Sequence, residues 1–151
     1  MMDNETNLAV STTRRQIDSL SANEFAVELD GVSVTGIFRV TGLIPFKLDV
    51  KPTLTKRVRD PFKLTKMVQR DPENPFNKWV KETVVARDDI VRPTRQLAVI
   101  AVDDGTEIRR WFVKDAWIAE VSYSDFNSGS SELIEETLVI YYEDIEEHWI
   151  G

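Results

Sequence analysis

The sequence predicts an α+β fold that consists mainly of antiparallel β-sheet. Apolar and polar residues alternate in several short segments, which is the two-residue period of half-buried strands. Asp-Gly pairs at 30–31 and 104–105 separate such segments, and this dipeptide favours tight hairpin turns. A single segment, residues 75–86, has a clear helical period instead. We therefore expect a small β-barrel-like core, whose closure would remove exposed edges, with one flanking α-helix.

The first hairpin is predicted to join strands at 24–29 and 32–41 through Asp30-Gly31. Gly36 falls inside the second strand, where a missing side chain indicates a bulge or a close approach of another part of the chain. Four apolar residues of that strand alternate and should face the core: Val32, Val34, Phe38 and Val40.

Residues 46–56 form the longest alternation in the chain. Pro52 interrupts it, and proline has no N–H to donate to a neighbouring strand. Pro52 therefore marks either a sheet edge or the point at which the strand leaves the sheet as a long projecting hairpin or loop, before a strand at 62–68. Four apolar residues are predicted to share one side of this segment: Phe46, Leu48, Val50 and Leu54.

The helix should begin after Asn74, a favourable N-cap, with Pro75 at its first position. Lys78, Lys81 and Glu82 should face solvent. Five residues at helical spacing should face the sheet: Phe76, Trp79, Val80, Thr83 and Val84. After the helix, residues 97–102 are apolar at consecutive positions, which favours a central strand covered on both sides.

Three further strands are predicted at 107–113, 115–124 and 132–142. The third becomes apolar on both faces at its end, which should be buried. The alternation in the second places four residues on its inward face: Trp117, Ala119, Val121 and Tyr123.

A chain of 151 residues is the size of one domain. We expect an N-terminal arm at 1–23, with a possible short helix near 12–20, a barrel core at 24–145 and an acidic C-terminal tail at 146–151. No apolar run approaches the roughly 18 residues that a membrane span needs, and the N-terminus lacks the features of a signal peptide. We therefore expect synthesis in the cytoplasm and no membrane insertion.

The chain offers little for catalysis. His148 is the only histidine and there is no cysteine. No serine lies in a Gly-x-Ser-x-Gly motif, and Gly129 is isolated among serines rather than part of a phosphate-binding loop. Glu135 and Glu136 are adjacent on a predicted strand, so their side chains point to opposite faces. The sequence therefore predicts no enzyme and no catalytic, cofactor or metal site.

The net charge of -7 is unevenly distributed. Residues 51–95 contain twelve Lys and Arg against six Asp and Glu, whereas residues 96–151 contain three against thirteen. This split fits two solvated faces; alternatively, the basic segment of one copy meets the acidic segment of the next, which gives head-to-tail self-association. The basic side chains have no evident partner in their own sheet. Under the second interpretation the contact residues are Lys51, Lys56, Arg57, Arg59, Glu132, Glu135, Glu143 and Asp144.

Two parts of the chain resemble a known family. The strings RRWFVKDAWIAEVSYSDFNSGSSELIEETLVIYYEDI and FAVELDGVSVTGIFRVTGL are similar to the C-terminal half and the opening hairpin of tail tube proteins of contractile phages and related contractile injection systems. The residues that carry the likeness in the first string are Trp111, Ala116, Trp117, Ser122, Asp125, Asn127, Glu132, Glu136, Leu138 and Ile140.

The resemblance implies a structural subunit that self-assembles into hexameric rings, which stack into the inner tube of a phage tail or phage-tail-like particle. It also implies sheath subunits, baseplate or spike proteins and lumen cargo as partners. The segment after Leu43 lacks the glycine-rich, Tyr-containing stretch that is common in main tube subunits, so an initiator ring between tube and baseplate is an alternative.

Two other functions remain open at this stage. A monomeric β-barrel could bind nucleic acid through the basic residues of 51–70, although Phe62 is the only aromatic residue there for stacking. A barrel could also bind a small ligand, but no distinct set of polar residues indicates such a site.

Overall fold

The computed structural model describes residue 20 and residues 24–150. The predicted N-terminal arm and its short helix therefore lie outside the described residues, apart from Leu20. The described residues form ten strands and one helix. In chain order these are β1 (Phe25–Leu29), β2 (Val32–Val34), β3 (Ile37–Thr41), β4 (Leu48–Lys51), β5 (Leu54–Arg57), β6 (Phe62–Met67), α1 (Pro75–Ala86), β7 (Arg95–Asp103), β8 (Thr106–Tyr123), β9 (Glu135–Tyr141) and β10 (Asp144–Trp149).

Strand β8 belongs to both sheets of the core. Its first half pairs with β7 on one edge and β10 on the other, and its second half pairs with β9. One sheet therefore has the order β2-β1-β7-β8-β10, and the other has the order β3-β6-β9-β8. Every one of these pairings is antiparallel. The predicted α+β class, mainly antiparallel β, is confirmed, but the two strands predicted at 107–113 and 115–124 are one strand of 18 residues.

The hydrogen-bonded order of strands is open and runs from β2 to β3. The chain itself joins these two ends through Thr35 and Gly36, so the core is barrel-like without a closed ladder. Gly36 has a φ of 95°, and a Cβ placed there would lie 2.5 Å from Gln69 Nε2. Residues with a Cβ rarely adopt this φ, so the crossing favours glycine. Gln69 Nε2 donates to the Thr35 carbonyl at 3.2 Å at the same place.

The first hairpin turns at Asp30 and Gly31, with φ values of 50° and 80°, as predicted. After Gly36 the side chains of β3 do not face the sides of the sheet that the alternation predicts. Ile37 packs against the core while Phe38 is exposed, because the register of β3 on β6 shifts between Ile37 and Arg39. The predicted inward position of Phe38 is therefore wrong, and Val32 at the sheet edge is also exposed.

The helix packs against the core through Phe76 and Trp79. Asn74 Oδ1 accepts hydrogen bonds from the backbone N–H groups of the first turn, and the bounds Pro75–Ala86 agree with the prediction. Phe76 and Trp79 are fully buried, and Trp79 Nε1 donates to the Pro93 carbonyl at 3.0 Å. Val84 is exposed, so the apolar stripe ends one turn earlier than predicted. Within the described residues, no helix is long and apolar enough to cross a membrane.

The predicted inward face of the second half of β8 is largely wrong. Ile118 is buried, which places Trp117 on the outer side, where its ring stacks on Tyr141 with centroids 5.0 Å apart. A shift of register after Ile118 returns Val121 to the core, as predicted. Two other residues predicted to point inward are exposed: Ala119 and Tyr123.

Most of the predicted acidic tail is a strand. Residues 144–149 pair with the first half of β8, and Ile145 is buried opposite Val113. At the end of this ladder the Arg109 guanidinium lies 3.4 Å from the centroid of the Trp149 ring. A buried apolar pair and a cation–π contact therefore hold a segment whose sequence is mainly charged.

A charged pair lies inside the core beside the helix. Lys66 Nζ is 2.7 Å from Glu136 Oε1, with side-chain exposures of 0% and 6%. The Lys66 ammonium is not oriented to donate a hydrogen bond to Glu136 Oε1, so the contact between the two groups is chiefly electrostatic. Lys66 Nζ also donates to Asn77 Oδ1 at 3.2 Å, which ties the helix to β6 and β9. Removing one member would leave a buried charge without its partner.

Lys66→Met and Glu136→Leu should each lower the free energy of unfolding by about 3–5 kcal/mol, because each leaves the opposite charge buried and unpaired. The double variant should be more stable than either single variant. Lys63→Met, on the exposed side of the same strand, is the matched control and should change stability by about 0.5 kcal/mol or less. Chemical denaturation measures all four; single variants as stable as the control would contradict a buried pair.

Candidate assembly surfaces

Strands β4 and β5 form a separate two-stranded sheet, which we call the projecting hairpin (Leu48–Arg57). Leu48 pairs with Arg57 and Lys51 with Leu54. The two residues between Lys51 and Leu54 make the turn, so Pro52 lies at the tip rather than at a sheet edge. The predicted projecting segment is thus a hairpin with its own register, outside the two core sheets.

The hairpin leaves apolar side chains uncovered on both faces. Directly opposed residues share a face, so Leu48 and Val50 lie with Arg57, whereas Leu54 lies with Lys51 on the other face. The prediction of one apolar side is therefore wrong for Leu54, because the two-residue turn places Leu54 on the opposite face of the hairpin from Leu48 and Val50. Val50 is 71% exposed and Leu54 is 61% exposed. Side chains this apolar and this exposed favour a contact outside the subunit.

Arg57 holds the base of the hairpin to the core. Its guanidinium lies 2.6 Å from Asp144 Oδ1 and donates to the Pro45 carbonyl at 3.2 Å. Both charged side chains are about one-third exposed. Arg57 therefore has a partner in its own subunit, although not in its own sheet, and this partner is one of the predicted acidic residues.

Two further contacts fix the same base. The Tyr142 hydroxyl donates to the Asp60 carbonyl at 2.8 Å, and burial raises the pKa of Tyr142. Lys47 Nζ lies 2.9 Å from Asp60 Oδ2, and this hydrogen bond raises the pKa of Lys47. The hairpin is therefore positioned at its base while its tip remains free of the core.

The other predicted basic residues stay in solvent. Lys51 Nζ lies 3.7 Å from Asp49 Oδ2 on the same strand, a long and exposed contact. Lys56 and Arg59 are exposed, and neither forms an ion pair with any residue that the structure describes. Because Arg57 pairs with Asp144 and Lys66 is buried against Glu136, residues 51–70 offer fewer free cations to nucleic acid than their composition indicates.

The predicted acidic residues lie in two separate places. Glu143 and Asp144 lie at the hairpin base, where a hydrogen bond and the charge of Asp115 raise the pKa of the Glu143 carboxyl. Glu132 and Glu135 lie at the opposite end of β9, Glu132 exposed and Glu135 half-buried. The eight predicted residues therefore do not form one surface, and only Arg57 and Asp144 meet within the subunit.

Glu132 belongs to the loop between β8 and β9, which we call the β8–β9 loop (residues 124–134). The loop lines an open cavity of about 920 Å³, and the exposed side chains of Phe126 and Leu133 are part of its lining. Neither residue was among those predicted from the sequence to contact another copy, although two large apolar residues in a serine-rich loop were a signal. The lining residues are Ser124, Asp125, Phe126, Asn127, Ser128, Ser130, Glu132, Leu133 and Ile134.

The projecting hairpin and the β8–β9 loop lie at opposite ends of the second sheet. The hairpin leaves the sheet between Thr41 and Phe62, and Phe62 pairs with Ile140. At the other end of the same ladder Met67 pairs with Glu135, next to the loop. Six residues of strand β6 separate the two ends, a distance of about 20 Å.

The fold is shared with tube and cap proteins of contractile injection systems. The anti-feeding prophage tube-terminating cap matches at a TM-score of 0.71, with 14% identity, over 87% of this chain and 92% of that chain. The extended PVC sheath-tube complex matches at 0.67 with 10% identity, over 87% and 93%. Hcp1 from Flavobacterium johnsoniae matches at 0.55 with 10% identity, over 84% and 96%. At these identities the likeness concerns the fold.

The family of the chain is shown by its sequence. The profile of the T4-like virus tail tube protein gp19 family matches residues 21–146, and the chain belongs to that family. No curated protein matches the chain by sequence. The chain is thus a structural tube subunit, as its resemblance to tail tube proteins predicts.

Arg57→Ala and Asp144→Ala should each loosen the hairpin base, because either change removes the ion pair that joins it to β10. Hydrogen exchange at the Val58 N–H, which bonds to the Lys47 carbonyl, should accelerate by up to about fivefold, as for loss of a pair worth about 1 kcal/mol. Lys56→Ala is the control and should leave that rate unchanged. Equal exchange in all three variants would show that the pair does not position the hairpin.

Proposed function

We propose that copies of this chain assemble into rings and that the rings stack into the inner tube of a contractile tail or injection system. The observation that carries this proposal is the projecting hairpin, which presents apolar side chains on both faces while its base is fixed to the core. A subunit in isolation leaves this surface in water. A neighbouring subunit would cover it.

A tube of stacked rings needs two kinds of heterologous contact, one that closes the ring and one that repeats along the axis. The open order of strands supports such contacts, since β10 pairs on one edge with β8 and has no strand on its other edge among the described residues. An unpaired strand edge can accept a further strand from a neighbouring copy. The subunit therefore has surfaces for growth in more than one direction.

The solved structures suggest the partners. One related fold is in a PVC sheath-tube complex, and another is in an anti-feeding prophage baseplate reconstructed with 6-fold symmetry. We propose six copies in each ring, sheath subunits around the tube, baseplate and spike proteins at one end, and cargo or DNA in the lumen. The role is that of a conduit without catalysis.

An initiator ring that joins tube to baseplate is a second candidate. The anti-feeding prophage baseplate structure matches at a TM-score of 0.61 with 10% identity, over 88% of this chain and 97% of that chain. The segment after Leu43 also lacks the glycine-rich stretch that resemblance associates with main tube subunits. An initiator would form single rings, whereas a main subunit would form tubes of variable length.

Charged contacts between copies are part of the proposal. Lys51, Lys56 and Arg59 are the cations of the hairpin region that remain in solvent, and Glu132 and Glu135 are the acids at the opposite end. Exposed ion pairs are worth at most about 1 kcal/mol each and are screened over about 8 Å at physiological salt. Apolar burial must therefore supply most of the association energy, and the charges set its orientation.

The purified chain should form hollow tubes, seen by negative-stain microscopy. Val50→Glu should abolish them, because it places a charge in the apolar part of the contact. Val85→Glu is the matched control, since Val85 on the helix is also 71% exposed but lies outside the hairpin. Thermal melting should show both variants folded.

Single rings without tubes in the wild type would favour the initiator. A wild-type monomer at every concentration would contradict the proposed function. Tubes formed equally by Val50→Glu and Val85→Glu would show that the hairpin takes no part in assembly.

A further inference from the structure

We infer that the projecting hairpin of one copy inserts its tip into the cavity of the β8–β9 loop of a copy in the adjacent ring. This inference rests on the proposed tube assembly and assigns its axial contact to two particular surfaces. The occupant of the cavity is thus a second copy of this chain. Four independent features of the two surfaces support the pairing.

The first feature is shape. The β8–β9 loop lines an open cavity of about 920 Å³, a volume that could hold several side chains. The hairpin is narrow at its tip, because Lys51 and Leu54 are joined by a two-residue turn. A tip of this width carries few enough side chains to enter such a cavity.

The second feature is apolar surface on both sides of the contact. Val50 and Leu54 are exposed near the hairpin tip, and Phe126 and Leu133 are exposed beside the cavity. Each set is too small to form a core of its own. Together they would bury aromatic and aliphatic side chains at the centre of a contact with a polar rim, which is the usual anatomy of a protein interface.

The third feature is charge. Hairpin residues 48–57 contain Lys51, Lys56 and Arg57 against Asp49, a balance of +2. Residues 124–134 contain Asp125 and Glu132 and no Lys or Arg, a balance of -2. Opposite charges at the rim favour this pairing and disfavour contact of two hairpins or of two loops.

The fourth feature is position. The hairpin leaves one end of the second sheet and the β8–β9 loop lies at the other end, as the pairings Phe62–Ile140 and Met67–Glu135 show. A donor at one end and an acceptor at the other give a head-to-tail contact that repeats without limit. This arrangement suits an axis of stacking rather than a closed pair.

Both surfaces are ordered within the subunit, which lowers the entropy lost on docking. The hairpin base is fixed by the Arg57–Asp144 pair. In the β8–β9 loop, Ser124 Oγ accepts from the Glu135 N–H at 2.9 Å, and Ser130 Oγ accepts from the Glu132 N–H at 3.1 Å. Arg57 and Asp144 thus act within one copy, whereas Lys51, Lys56, Asp125 and Glu132 act between copies.

Charge reversal tests the pairing in the full chain. The hairpin variant carries Lys51→Glu and Lys56→Glu, and the loop variant carries Asp125→Lys and Glu132→Lys. Each alone should form rings but require at least about tenfold more protein to form tubes, because several like charges then meet at every ring boundary. An equal mixture of the two variants should form tubes at the wild-type concentration, since each reversed hairpin can meet a reversed loop.

The control variant carries Lys78→Glu and Lys81→Glu on the exposed face of the helix, which change the net charge as much as the hairpin variant does. It should form tubes as the wild type does. Melting temperatures confirm that all variants fold, and sedimentation with negative-stain microscopy separates rings from tubes.

Three outcomes would overturn the inference: tubes from either reversed variant at the wild-type concentration, loss of rings as well as tubes, or failure of the mixture to recover tubes. Wild-type tubes alongside any of these would leave the proposed function intact. A wild type that forms no rings or tubes would instead contradict the proposed function itself.

Discussion

The fold depends on one strand that takes part in both sheets. The 18 residues of β8 pair first with β7 and β10 and then with β9, so a single segment fixes the position of one sheet relative to the other. Strand β9 pairs with the second half of β8 and strand β10 with its first half. A short interruption after Tyr141 separates these two strands. That interruption supplies Tyr142 and Asp144, which hold the base of the projecting hairpin. The junction of the two sheets is therefore also the anchor of the candidate assembly element.

The role of each charged pair in this protein depends on how deeply the pair is buried. Lys66 and Glu136 are buried and hold the helix against the sheet, where loss of one partner would expose the other to an apolar interior. Arg57 and Asp144 are partly exposed and orient the hairpin. Lys56 is exposed and unpaired among the described residues, which leaves it available to another copy. Stability and assembly thus draw on separate sets of charges.

Much of the fold could be predicted from local patterns, because they depend on neighbouring residues alone. The helix at Pro75–Ala86 and the turns at Asp30 and Asp104 are examples, since capping and positive-φ preferences act over a few residues. The faces of β3 and β8 could not be predicted, because each strand contains a shift of register that alternation does not reveal. The Arg57–Asp144 pair joins residues far apart in the sequence, and the cavity beside Phe126 depends on the three-dimensional path of residues 124–134.

The central claim is that the hairpin of one copy contacts the β8–β9 loop of the next, and a cysteine cross-link tests it most directly because the chain has no cysteine of its own. Val50→Cys and Phe126→Cys chains, mixed and allowed to assemble, should form a covalent dimer under mild oxidation when tubes are present. No such dimer should form from Val50→Cys mixed with Ile90→Cys, because Ile90 is exposed on the loop after the helix, away from the β8–β9 loop. A dimer from the second mixture and none from the first would contradict it.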